Sequence, residues 1–271
     1  MNLLSRLQPS PKLKRLLPGL DVLAILLWGA LLFKYWISGQ LRLLIHPNYF
    51  WLVFVTSILL VLLGAVKAWL WGQEFQKKSN REENVQHITL FPPGWGSGLL
   101  IITAVAGFII PPTVFNSQVA LQRGISESLP VTQAQTESFS ANVKPEERSL
   151  IDWIRTLNAY PEPDAYQGQK AKVTGFVVHS PILPENYILL SRFILTCCAV
   201  DAYPVGLPVK LNRDRSAYPA DSWLEVEGEM MTETLPIDTQ TMQETPTEKR
   251  QLVLSANSIT TIPTPDDPYG Y

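Results

Sequence analysis

The chain has 271 residues, a formal net charge of −2, 46% hydrophobic residues and two cysteines. Two cysteines are too few for a disulfide scaffold, and the small net charge hides an asymmetry, since residues 1–115 carry +6 and residues 116–271 carry −8. The basic residues of the first half flank apolar runs and the acidic half would repel phosphate, so the composition argues against nucleic acid as a partner.

Residues 1–17 are short and basic, with Arg6, Lys12, Lys14 and Arg15 ahead of the first apolar run. A signal peptide would begin similarly, but no small-residue cleavage site follows and further apolar runs come after. Three such runs predict transmembrane helices at about 18–38, 49–71 and 95–115. The first contains Asp21 near its start and Lys34 near its end, both within snorkelling distance of an interface. The second has Lys67 as its one charge and is bordered by Tyr49, Trp51, Trp69 and Trp71, as an aromatic belt requires. The third is uncharged and closes on Pro111-Pro112; Gly94, Gly96 and Gly98 at its start offer a small-residue face for helix packing.

Orientation follows from the basic flanks. Four basic residues precede the first span and Lys77, Lys78 and Arg81 follow the second, whereas the first connecting loop has only Arg42. The positive-inside rule then places the N-terminus in the cytoplasm and residues 116–271 outside it, in a multi-pass protein of the plasma or inner membrane with lipid as a constant partner. His46, before Pro47 in the first loop, is an interfacial residue at a helix start and a structural or interface candidate.

Residues 116–144 are rich in Ser, Gln, Thr and Asn and read as a polar linker. An amphipathic helix follows over 144–157, with Pro145 opening it, acids in its first turn and Leu150, Ile151, Ile154 and Leu157 on one face. Alternating segments then predict strands over 170–178, 187–196, 206–211, 222–231 and 251–261. Short strands at this spacing, with Val-x-Gly patterns at Val173-Thr174-Gly175 and Val226-Glu227-Gly228, suggest a small OB-like β barrel over 145–271. The predicted architecture is thus a membrane α-helical half followed by a soluble, mainly β domain.

Cys197 and Cys198 are adjacent and precede Asp201. Neighbouring Cα atoms lie about 3.8 Å apart, whereas unstrained disulfides need about 4.4–6.8 Å, so this pair is no ordinary structural bridge. Three readings follow. The two thiols, with Asp201 and His179, form a ligand set for a soft metal ion or thiophilic oxyanion; in a continuous strand they would point to opposite faces, so this reading needs a strand end or bulge at that position. In the second, one cysteine fills the barrel core and the other packs under a loop. In the third, the pair opens and closes as a redox switch or sensor, without the Cys-x-x-Cys spacing of thiol oxidoreductases. Arg192 is a structural or interface candidate that would pair with Asp201 across the segment.

Three apolar spans, the loop His46-Pro47-Asn48-Tyr49, the segment from Arg192-Phe193 through Cys198 to Asp201 and Gly206, and the tail Asp266-Asp267-Pro268-Tyr269 together resemble the YcgQ-like family of bacterial membrane proteins, over nearly the whole chain. The resemblance implies an accessory subunit of a two-component permease, with a multi-span permease as partner. Many members carry a His-rich loop after the second span; the corresponding loop here, residues 73–87, holds only His87. No catalytic residue is carried over by the resemblance. With no Ser/His/Asp set, phosphate loop or paired-carboxylate motif, the sequence does not predict an enzyme. Beside the permease subunit stand two alternatives, the thiol-dependent sensor and a purely structural partner in a membrane complex.

Overall fold

A computed structural model of the chain describes residues 11–76, 94–125, 144–237 and 247–271. The chain divides into two compact units, Met1–Thr113 and Val114–Tyr271. The loop containing His87 lies outside the described residues, as does most of the segment expected to be a linker.

The first unit consists of α1 (Pro11–Ile37), α2 (Phe50–Gln76) and α3 (Trp95–Ile109). Two stretches, Leu16–Ile37 and Pro47–Gln73, are long and apolar enough to cross a membrane. The third falls short of the expected 95–115 span. It ends at Ile109, ahead of Pro111-Pro112, and its 15 residues reach about 22 Å at 1.5 Å per residue, less than the ~30 Å of a bilayer core.

Of the three glycines expected at the start of α3, Gly94 is crowded, a methyl there lying 2.6 Å from Leu17 Cδ2, while the other two are open and further close contacts fall at glycines within the helices. A methyl group at Gly96 or Gly98 would meet nothing within 4 Å, whereas one at Gly29 would come within 2.9 Å of Val61 Cγ2 and one at Gly107 within 2.7 Å of Leu31 Cδ2. Polar side chains of α1 are spent on α3 rather than left to snorkel. Trp28 Nε1 donates to Leu100 O at 3.0 Å, Tyr35 Oη to Gly107 O at 2.7 Å and Lys34 Nζ to Phe108 O at 3.1 Å, while Ser97 Oγ donates to Asp21. Each bond satisfies a group that would be costly to leave unpaired in an apolar setting. His46 caps the turn Pro47–Tyr49, its Nδ1 accepting from Asn48 N at 3.2 Å, in keeping with a structural role at the start of α2.

The second unit begins with a short helix where the sequence predicted linker. This is α4 (Ser117–Arg123), capped by Asn116, whose side chain accepts from Val119 N at 3.0 Å. Seven residues are too few to display helical periodicity, which is why composition alone read them as loop. Next comes α5 (Leu150–Ala159), opened by a capping box: Asp152 N donates to Ser149 Oγ at 3.1 Å and Ser149 N to Asp152 Oδ2 at 3.0 Å. Its buried face holds Leu150, Ile151 and Ile154 as expected, and also Trp153, which is fully buried.

Six strands make the sheet: β1 (Lys170–Val178), β2 (Tyr187–Ile194), β3 (Tyr203–Lys210), β4 (Trp223–Ile237), β5 (Thr247–Ile262) and β6 (Tyr269–Gly270). The order is β1-β4-β5-β3-β2-β6 with β1 also paired to β2, so the first five strands close a circuit of pairings. All neighbours are antiparallel except β3 with β5 and β2 with β6. β4 and β5 run beyond their expected ends and β3 starts earlier, at Tyr203, despite Pro204. The two-residue β6 had no alternation to betray it. The glycines of the Val-x-Gly patterns sit where strands approach: a methyl at Gly175 would lie 2.7 Å from Ser191 O, and one at Gly228, opposite the bulge that leaves Asn257 of β5 unpaired, would collide with Ser255 O. The core is closed by α5 packing Leu150, Trp153 and Ile154 onto residues such as Val173, Leu190, Val205 and Leu254.

Candidate metal centre at the vicinal cysteines

β2 pairs with β3 as far as Ile194 opposite Tyr203, and residues 195–202 form the connection between them. Leu195 N donates to Gly270 O at 3.0 Å, which ties the start of this connection to the C-terminal strand. The chain then bends through Thr196 and Cys197 into a single 3-10 turn, Ala199–Asp201, with Cys198 at its N-cap. The strand therefore ends before the cysteines, which removes the alternation that would have sent their side chains to opposite faces.

Asp201 shapes the turn. Its carboxylate accepts from Cys197 N at 3.0 Å and from Cys198 N at 3.2 Å, and Asp201 N donates in turn to Cys198 O at 3.1 Å. The two sulfurs lie 3.7 Å apart, and both lie within 4.8 Å of a carboxylate oxygen of Asp201. Cys197 is exposed and Cys198 partly so; the expectation that one of them fills the core fails, because the turn carries both away from the barrel interior. The hydrogen bond to Asp201 pushes the Cys197 thiol up to about 12, with the neighbouring Cys198 thiol adding to it. Burial works to raise Asp201, but hydrogen bonds from Cys197, Thr196 and the two amides outweigh it and hold the carboxyl below its ordinary range.

Of the other expected site residues, none joins this cluster. His179 Nε2 lies 2.8 Å from Tyr218 O, at the end of β1, and among the described residues the metal-competent group is Cys197, Cys198 and Asp201 without it. Arg192 does not pair with Asp201. Its Nη2 donates to Asp267 O at 3.0 Å and its guanidinium lies 5.5 Å from the Trp223 ring, so it fastens the C-terminal tail to the outside of β2. Register explains the separation: Arg192 belongs to the paired part of β2 opposite Val205, whereas Asp201 lies in the connection.

Sequence reasoning missed a residue beside the turn. Arg123, the last residue of α4, donates through Nη1 to Ala202 O and, at 3.4 Å, to Ala199 O, the carbonyls on either side of Asp201. Its guanidinium also stacks 4.9 Å from the ring of Phe115, which packs on Phe193 and Tyr269 at 5.0 and 5.6 Å. Only the helix-terminal position of an arginine ahead of Gly124 hinted at it.

Two thiolates and a carboxylate on a short turn make a partial cage for a soft or borderline cation, and its geometry fits. Two Zn–S bonds of ~2.3 Å at a tetrahedral angle place the sulfurs about 3.8 Å apart, against the 3.7 Å observed. The Asp201 oxygens keep lone pairs beyond those used by the two amides.

Comparison with known proteins bears on the chain as a whole. Among curated proteins none matches it. Among solved structures, the small single-stranded DNA-binding protein from Streptomyces coelicolor is similar over 35% of this chain and 94% of its own, at 11% identity and a TM-score of 0.22; a likeness that slight defines neither a shared fold nor a shared ligand. Residues 20–126 match the DUF1980 N-terminal domain and residues 130–271 the DUF1980 C-terminal domain. The two matches take in both the apolar helices and the cysteine turn, and the chain belongs to the DUF1980 family.

Proposed function

We propose that this protein is a membrane-anchored accessory subunit of a two-component permease, whose extracytoplasmic β domain binds a soft metal ion or thiophilic oxyanion at Cys197, Cys198 and Asp201. The observation that carries the binding half of this reading is the 3.7 Å separation of two accessible sulfurs beside a carboxylate, on a turn outside the strand. Further support comes from the apolar helices. Only 22% and 11% of the apolar windows of α1 and α2 are buried within the described unit, and apolar surface on that scale calls for lipid or a membrane partner. Charge flanks favour a cytoplasmic N-terminus, and α3 completes a three-span arrangement if Ile110 and its neighbours extend it at an interface. The circuit of strand pairings with parallel β3 and β5 favours an OB-like barrel for the second unit. The permease role itself rests on the resemblance to YcgQ-like proteins.

Metal binding is favoured over a thiol switch by the electrostatics of the turn. Thiol-disulfide exchange needs a thiolate, and Asp201 holds Cys197 protonated. A bound cation takes the place of that proton and turns the carboxylate from an opponent of the thiolate's charge into a further ligand.

Purification of the full chain in mild detergent from its own host tests both halves. The proposal predicts a multi-span permease in stoichiometric amount and retention of that partner by Cys197→Ser/Cys198→Ser, with loss of bound Zn(II) or Cu(I) in the same variant. Recovery of the protein alone in several detergents would remove the permease role. Assembly that survives together with loss of function under reducing conditions and no metal bound would favour the redox alternative.

A further inference from the structure

The thiol turn is not held by the barrel alone. Two carbonyls, those of Ala199 and Ala202, bracket Asp201, and both accept from Arg123 of α4. Residues of a connection rarely bind metal with preset geometry unless something outside the connection orients their backbone, and here that element is a helix reached directly from the last apolar helix through residues 110–116. α4 is itself fastened to the β domain at its other end: Ser117 N donates to Asp221, and Phe115 N donates to Tyr269 Oη at 3.0 Å. The Phe115 ring then lies under the Arg123 guanidinium, limiting the directions in which its donors can point.

We infer that Arg123 is a positioning residue for the Cys197–Cys198–Asp201 site, through which α4, the segment joining the apolar helices to the β domain, sets the geometry of the ligand turn. The inference rests on the metal-binding reading of that turn. Its physical content is specific. One guanidinium nitrogen, Nη1, reaches two carbonyls at once, and those carbonyls belong to the Ala199–Val200 and Ala202–Tyr203 peptides, each one peptide removed from Asp201. With them fixed, Asp201 stays in reach of both cysteine amides; with them released, the 3-10 turn loses its tie to α4 and the sulfurs lose their common orientation. A shift of α4 would therefore register at the site, and occupation of the site would resist a shift of α4.

The experiment uses the full chain in detergent micelles, as wild type, Arg123→Ala and Arg123→Lys, with two readouts. The first is amide hydrogen exchange of the metal-free protein over residues 195–203. The expected result is exchange about tenfold faster in Arg123→Ala, an intermediate rate in Arg123→Lys, which keeps the charge but not the planar group stacked on Phe115, and unchanged protection in β1 and β4. The second is titration with Co(II), followed by its thiolate charge-transfer and ligand-field bands. Affinity should fall about 10- to 100-fold in Arg123→Ala, with weaker ligand-field absorption at saturation and partial recovery in Arg123→Lys. Equal exchange over 195–203 in all three proteins would overturn the role of Arg123, as would equal Co(II) affinity. Absence of a thiolate band in the wild type would instead remove the metal-binding reading, and the exchange comparison would still decide whether Arg123 orders the turn. Should Arg123→Ala fail to fold, loss of β1 and β4 protection will show it, and Arg123→Lys carries the comparison.

Discussion

Asp201 holds both cysteine amides and faces both sulfurs, so its substitution separates shape from charge. Asp201→Asn keeps one amide acceptor but removes the negative charge, and should weaken Zn(II) binding by about 10- to 100-fold with little change in thermal stability, as checked by competition with a chromophoric chelator. Because the Cys197 thiol lies near 12, binding must expel at least one proton per ion across neutral pH. Zn(II) affinity should then rise at least about tenfold per pH unit between roughly pH 6 and 8; a pH-independent affinity would show that Cys197 is not a ligand. Glu233 offers a test away from the site. Burial raises it, but hydrogen bonds from Lys210 and Tyr187 outweigh burial and hold it below the usual carboxylate range. A folded value below the unfolded one contributes stability that is full above about pH 4.3 and is lost as pH falls through the folded value. Glu233→Gln should therefore cost about 1–2 kcal/mol near neutral pH and flatten the acid limb of a Tm-against-pH curve.

The strands owe their closure to small residues at crowded positions, and those positions were legible. Val-x-Gly spacing marked Gly175 and Gly228 before any geometry was known, because a strand interior tolerates glycine mainly where another backbone comes close. Gly228→Ala should destabilise the domain by about 1–3 kcal/mol, measured by urea unfolding, since the added methyl would strike the Ser255 carbonyl. The amphipathic face of α5 was equally legible from the positions of Leu150, Ile151 and Ile154, although the helix buries a wider stripe that includes Trp153. Other elements left no periodic trace. α4 is shorter than two turns, β6 is two residues long, and both are defined by what they touch rather than by their own pattern. The same holds for the site: the adjacent cysteines and Asp201 were evident, but His179 and Arg192 were grouped with them by nearness in sequence, which strand register then separates.

For the whole molecule, the division into an apolar helical unit and a β domain was written in the hydropathy and charge of the two halves. The extent of each helix was less so, since Pro111-Pro112 truncates α3 while the apolar sequence runs up to it. The proposed three-span topology with a cytoplasmic N-terminus would place Cys197 outside the membrane; in intact spheroplasts, a membrane-impermeant maleimide should then label Cys197 in the Cys198→Ser variant, slowly at neutral pH and faster above pH 9, and labelling only after lysis would contradict that topology. The account turns most on the identity of the ligands at the cysteine turn. X-ray absorption at the zinc edge of the full chain loaded with one equivalent of Zn(II) measures this directly. It should give two sulfur neighbours at about 2.3 Å together with oxygen or nitrogen, and the sulfur shell should vanish in Cys197→Ser/Cys198→Ser; a spectrum with oxygen and nitrogen neighbours alone, the same in both proteins, would contradict the assignment.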